Sequence, residues 1–218
     1  MKKVQYCLGE CPFCGKYGGH LGIVKDKKGY YIACDESFHE FASMEDVRAK
    51  KLRGTMTLND DFIPLKKALK LGFEKYIYIF ENGNWYKYDT DNYELNKKYI
   101  KNIKFVDSDV NEVEITLNDG QVELIAYCYN YHEINPMILS AFMTSDVMIS
   151  DDKTFKATND GNYSHTIQGE LYSKMLGIVR VGNFYISIDK EEIPGDVFDG
   201  DFITFNCTRL DANSIVIK

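Results

Sequence analysis

The cysteine spacing at the start of the chain limits its fold more than any other feature. Cys7-Leu-Gly-Glu-Cys11-Pro-Phe-Cys14-Gly15 is followed by Tyr31-Ile-Ala-Cys34 and then His39, so four of the six cysteines fall within the first forty residues. Two thiols separated by two residues and closed by a glycine form a tight turn whose sulfurs converge on one point. A second pair from a neighbouring turn can complete a tetrahedral metal site. Between the clusters, residues 20–25 and 30–34 are short apolar runs joined by Asp26-Lys-Lys-Gly29, a hairpin signal. A metal-capped hairpin of this size has almost no core, so metal binding would supply much of its folding free energy.

The candidate ligands are Cys11, Cys14, Cys34 and His39, with Cys7 and His20 competing for the fourth place. Residues 11–39 resemble the zinc ribbons of the phage restriction-alleviation (Lar-like) type, in which Cys-Pro-Phe-Cys-Gly precedes a hairpin and a second cysteine pair. The resemblance implies a structural Zn²⁺. It departs at the second pair, where this chain has Cys34 and, five positions on, His39. The spacing Cys7-x3-Cys11-x2-Cys14 also matches the radical SAM loop, where three thiolates hold a [4Fe–4S] cluster. That family places the loop after the first strand of a βα barrel, whereas hairpins follow here. Cys11-Pro-Phe-Cys14 looks like a glutaredoxin-type dithiol as well, but that chemistry needs a helix at the motif, and Gly15-Lys-Tyr-Gly-Gly19 follows instead.

Six cysteines without a secretory signal read as reduced thiols or ligands, with Cys128 and Cys207 as core residues in strand-like surroundings. No apolar window approaches the length of a membrane span, so the expectation is a cytoplasmic protein that does not enter a membrane. The net charge of −7 is unevenly placed: residues 1–75 hold 14 Lys and Arg against 10 Asp and Glu, which leaves 12 against 23 for the remainder. The first part could meet a phosphate backbone and the rest would repel one.

Patterning predicts a mainly β chain of α+β character in three parts: a zinc ribbon over 1–42, a helical pair plus antiparallel sheet over 43–145, and a small β-barrel or sandwich over 146–218. Ser43 and Asp46 open a helix to about residue 52, and a second helix should run over 61–71 with Pro64 in its first turn. Residues 73–88 read as a hairpin, residues 99–106 as a further strand, and the two strands around Asp119-Gly120 complete one sheet. Asn135-Pro136 reads as the start of a short helix to residue 142, and the polar stretch 145–152 as a boundary. Strands then follow at 154–158, 163–171, 175–181, 184–188, 202–207 and 214–217.

Enzyme signals are weak. There is no phosphate loop, dinucleotide fingerprint, nucleophile elbow or His-Glu-x-x-His. Asp107-x-Asp109, Asp151-Asp152 and Asp199-x-Asp201 read as turns, and His132-Glu133 and His165 as structural residues. The 16 tyrosines are more telling, because Tyr127, Tyr129 and Tyr131 share one strand face and Tyr76, Tyr78, Tyr86 and Tyr88 repeat the pattern on the neighbouring hairpin. Such a face could anchor a protein or stack bases, against the plainer reading of a half-buried strand face. The expected function is therefore a non-catalytic zinc-ribbon binding protein from a phage or other mobile element. It would engage or inhibit a nucleoprotein enzyme with basic grooves, its acidic C-terminal part acting as a mimic of a phosphate backbone. The alternatives are direct nucleic-acid binding through the N-terminal part, with Lys27, Lys28, Lys51 and Arg53 in contact, and radical SAM catalysis.

Overall fold

Alternating apolar and polar residues dominate much of the chain, and they pair into sixteen strands accompanied by two short helices among the described residues. The computed structural model describes residues 5–14, 18–37, 39–55, 62–81, 83–88, 93–107, 109–129, 131–132, 137–161 and 163–214. The protein is mainly β, with a central sheet and a closed five-stranded barrel. It divides into two compact units, Met1–Asp91 and Asn92–Lys218.

In the first unit, β1 (Gln5–Cys7) leads to the hairpin of β2 (Leu21–Asp26) and β3 (Gly29–Cys34). Asp26 closes the turn by accepting the N–H groups of Lys28 and Gly29 at 2.7 and 2.8 Å. β4 (His39–Phe41) and β5 (Gly54–Thr55) extend the hairpin to four strands. The Ser43 hydroxyl accepts the Asp46 N–H and starts α1 (Met44–Arg48). That helix is shorter than expected, because Lys50 takes a left-handed φ of 50° and turns the chain towards β5. α2 (Leu65–Lys70) begins after Pro64 and stops before Gly72, at φ 82°; residue 61, where its start was expected, lies outside the described residues.

A second sheet joins β1 to β6 (Tyr78–Glu81) and β7 (Asn84–Lys87). Leu21, Ile23 and Ile32 of the hairpin share one buried cluster with Val47, Ala68 and Ile77, and Cys11 and Cys34 lie within it. The ribbon segment therefore has an apolar core, contrary to the expectation, because residues beyond 42 supply it. Each fully buried aliphatic side chain contributes about 1.5–3 kcal/mol, so this segment has a source of folding free energy in its own apolar packing.

The second unit contains β8 (Ile100–Asp107), β9 (Glu112–Asn118), β10 (Glu123–Cys128), β11 (Met137–Ile149), β12 (Lys156–Gly161), β13 (Ser164–Ser173), β14 (Ile178–Val181), β15 (Phe184–Ser187) and β16 (Phe202–Ser214). The meander β13-β14-β15 is closed by β11, parallel to β15, and by β16, antiparallel to both β11 and β13. β16 then branches. Its first half pairs with β13, through Cys207 opposite His165, and further along Asp211 lies opposite Tyr127 of β10. A single strand thus belongs to the barrel and to the flanking β8-β9-β10 sheet. Cys128 and Cys207 are buried there, as expected.

Several expectations need correction. The hairpin of β6 and β7 pairs with β1, so it does not share a sheet with β8, β9 and β10, and residues 74–76 form a 3-10 turn where a strand was expected. Residues 137–142 are strand, whereas Asn135 and Pro136 lie outside the described residues. Met137 and Leu139 are buried while Ile138 and Ser140 are partly exposed, and pairing with both β15 and β16 outweighs a modest helix propensity. The polar stretch after residue 145 is a bend within β11, with Asp146 at φ 53° and a bulge between Ser145 and Met148. The expected boundary at 145/146 therefore falls inside a barrel strand, and that at 42/43 falls within the first unit. The strands expected at 202–207 and near 214 are one strand, and residues 215–218 lie outside the described residues.

Candidate metal centre

Two turns bring the thiols together. After β1, the Leu8 N–H bonds to the Leu21 carbonyl and the Cys11 N–H to the Gly19 carbonyl at 2.7 and 2.8 Å, so residues 8–11 run beside residues 19–21 with the first cysteine pair at the end of that pairing. Residues 12–14 turn back on themselves, with the Cys14 N–H on the Cys11 carbonyl at 3.1 Å; Gly15 lies outside the described residues. Cys34 ends β3 opposite Leu21, at the same end of the hairpin as this loop.

The ligand atoms of Cys11, Cys14 and Cys34 all lie within 4.8 Å of one another, a group that could hold a metal ion. The Cys14 and Cys34 sulfurs are 3.5 Å apart. Tetrahedral thiolate coordination with metal–sulfur bonds of about 2.3 Å places sulfurs roughly 3.8 Å apart, so the donor set fits an ion of that kind. His39 Nδ1 is 3.9 Å from the Cys11 sulfur but is not within 4.8 Å of all three sulfurs, so the structure gathers three of the four expected ligands. The Cys14 thiol donates to the Ser37 hydroxyl at 3.1 Å, and that oxygen lies 2.6 Å from His39 Nδ1. Ser37 also sends its backbone N–H to the Cys34 sulfur at 3.5 Å. A hydrogen bond with Cys11 holds the Cys34 thiol well below its ordinary pKa, and the same contact together with burial pushes Cys11 up. The cluster thus already favours one thiolate, the form that ligates a cation.

The competing ligands are placed elsewhere. Cys7 is buried in β1 opposite Tyr78 and is not part of the thiol group, so the three sulfurs of the iron–sulfur spacing do not converge. The His20 ring faces Asp35 at 3.8 Å and packs on Trp85 at 5.0 Å between centroids. Gly19 and Ser37 went unnoticed in the sequence. A Cβ on Gly19 would stand 2.6 Å from the Cys14 sulfur and 2.7 Å from that of Cys34, so only glycine leaves room for the pair. The Gly18-Gly19 doublet was the available signal.

The expected tyrosine surface divides. Tyr78 is buried at 1% exposure, and Tyr76 and Tyr131 pack against the two cores, because each unit folds over that side of its sheet. Tyr86, Tyr88 and Tyr129 are exposed, and Tyr127 is half-buried beneath Arg209. Among the basic residues, Lys27 and Lys28 are exposed at the hairpin tip and Lys51 lies 3.9 Å from Asp46. Arg53 is clamped between Asp26, at 2.7 Å, and the face of Tyr31.

The aspartates serve turns. Asp107 accepts the Asp109 N–H, Asp152 that of Thr154, Asp199 that of Lys174 and Asp201 that of Phe198. His132 is exposed, and Glu133 lies outside the described residues. Comparison with family models, with curated proteins and with solved structures gives no match for this chain.

Proposed function

We propose that the protein is a non-catalytic binding protein whose first unit is shaped by a structural zinc ion on Cys11, Cys14, Cys34 and His39. The convergence of three thiols at the joined tips of two turns, with His39 Nδ1 3.9 Å from the Cys11 sulfur, carries this reading. Three sulfurs and one imidazole are a soft, four-donor set suited to zinc, and a full set leaves no open position for substrate. Its role would be to hold residues 11–14 against the β2-β3 hairpin and so fix the surface around Phe13, which packs on His39 and Phe41. We extend the reading to a partner in nucleic-acid-handling machinery, met through protein contacts. The acidic balance of the chain beyond residue 75 supports that extension.

Elemental analysis of the purified protein tests the metal. One zinc per chain is expected, retained in Cys7→Ser and His20→Ala and lost or weakened in Cys34→Ser and His39→Ala. About four irons per chain, the content of a [4Fe–4S] cluster, or zinc retained in Cys34→Ser, would refute the assignment.

A further inference from the structure

On the second unit, strand register carries one row of residues across five strands. Lys104 lies opposite Glu114, Glu114 opposite Tyr127, Tyr127 opposite Asp211, and Asp211 opposite Ser140. Val113, Ile115, Leu124 and Ala126 are buried on the core side of β9 and β10, so Glu112, Glu114 and Tyr127 lie on the other side. Rings gather at the middle of the row. The Tyr127 ring lies 5.2 Å from Tyr129 and 5.8 Å from Tyr163, and the Arg209 guanidinium is 5.4 Å above Tyr127 and 5.1 Å above Phe142. Tyr129 and Phe142 remain 60% and 50% exposed.

Carboxylates border these rings. Glu112 accepts the Tyr127 hydroxyl, and Asp211 takes two hydrogen bonds from Arg209, at 2.5 and 3.1 Å. Residues 92–218 hold 11 Lys and Arg against 20 Asp and Glu, a field that repels a phosphate chain and attracts a cationic one. Arg209 shows the chemistry the face accommodates, a guanidinium lying flat on aromatic rings with a carboxylate in reach of its edge.

We propose that this face docks an arginine-rich segment of a protein partner, with guanidinium groups stacking on the open sides of Tyr129 and Phe142 and pairing with Glu112 and Glu114. The proposal rests on the binding-protein reading and names the chemistry of what is bound. Calorimetric titration of the full chain at low ionic strength with deca-arginine, deca-lysine and a ten-nucleotide deoxythymidine strand tests it. Deca-arginine should bind more tightly than deca-lysine, because lysine pairs with carboxylates but lacks the planar group that stacks. A Tyr129→Ser, Phe142→Ser double variant, changed only at exposed positions, should bind deca-arginine about tenfold more weakly. Glu114→Gln, which keeps the side-chain shape, should weaken it as well.

Equal affinity for the two peptides, an unchanged affinity in both variants, or preference for the oligonucleotide would overturn the proposal. Zinc assayed on the same samples separates the two readings. A preparation with one zinc per chain that ignores deca-arginine rejects the docking face and leaves the metal assignment standing.

Discussion

Gly19 shows how a residue without a side chain controls the packing of a thiol cluster. A Cβ there would stand 2.6 and 2.7 Å from two sulfurs that are themselves 3.5 Å apart, so Gly19→Ala must displace one of them. We expect that variant to bind metal about ten- to a hundredfold more weakly in a chelator competition, the range seen when outer contacts of a metal site are lost. Asp119 plays the matching part in the second unit. It accepts the N–H groups of Gln121, Val122 and Asn183 and the Asn183 amide, at 2.7–3.1 Å, which ties the β9-β10 turn to the β14-β15 turn. Removing an acceptor shared by so many donors in Asp119→Ala should cost about 1–3 kcal/mol in denaturant unfolding. Cysteine spacing made the three clustered thiols legible in the sequence, but spacing points to donors and not to the walls around them. Gly19 and Ser37 therefore needed the fold.

Among the elements, the contact between β10 and β13 is the one most exposed to pH. His165 Nδ1 donates to the Tyr163 carbonyl at 2.8 Å, and its Nε2 accepts the Ile125 N–H at 3.2 Å, beside the point where β16 passes from β13 to β10. Burial pushes the His165 imidazole below its ordinary pKa, because protonation would place a charge in the interior and turn the Nε2 acceptor into a donor. Below about pH 6.5 the unfolded chain binds a proton that the folded chain resists. Stability from this residue is therefore complete above that pH and declines as the pH falls through the lower native value. Urea midpoints from pH 7.5 to 5 should fall in the native protein and change less in His165→Gln.

The sequence shows short hairpins well, because Asp26-Lys-Lys-Gly29 and Asp119-Gly120 carry their own turn chemistry. It hides β11, since Met137-Ile-Leu-Ser-Ala-Phe142 after Asn-Pro has no local feature that rejects a helix. Only partners far along the chain, β15 and β16, decide that segment.

At the scale of the molecule, two units with separate cores should unfold separately. In calorimetry, a chelator should lower the transition of Met1–Asp91, which contains the thiol cluster, and leave that of Asn92–Lys218 unmoved. A single transition shifting as a whole would contradict this.

The shared strand β16 sets an order of events during synthesis. The second unit cannot close its barrel or anchor its flanking sheet until residues 202–214 have left the ribosome, since β11, β13 and β10 all await the same strand. The first unit has its cysteines, helices and paired strands complete by Lys87, more than a hundred residues earlier. Its three thiols can therefore come together while the chain downstream is still an open set of strand edges. The first unit thus has its own buried core in place before the second has the strand that closes it.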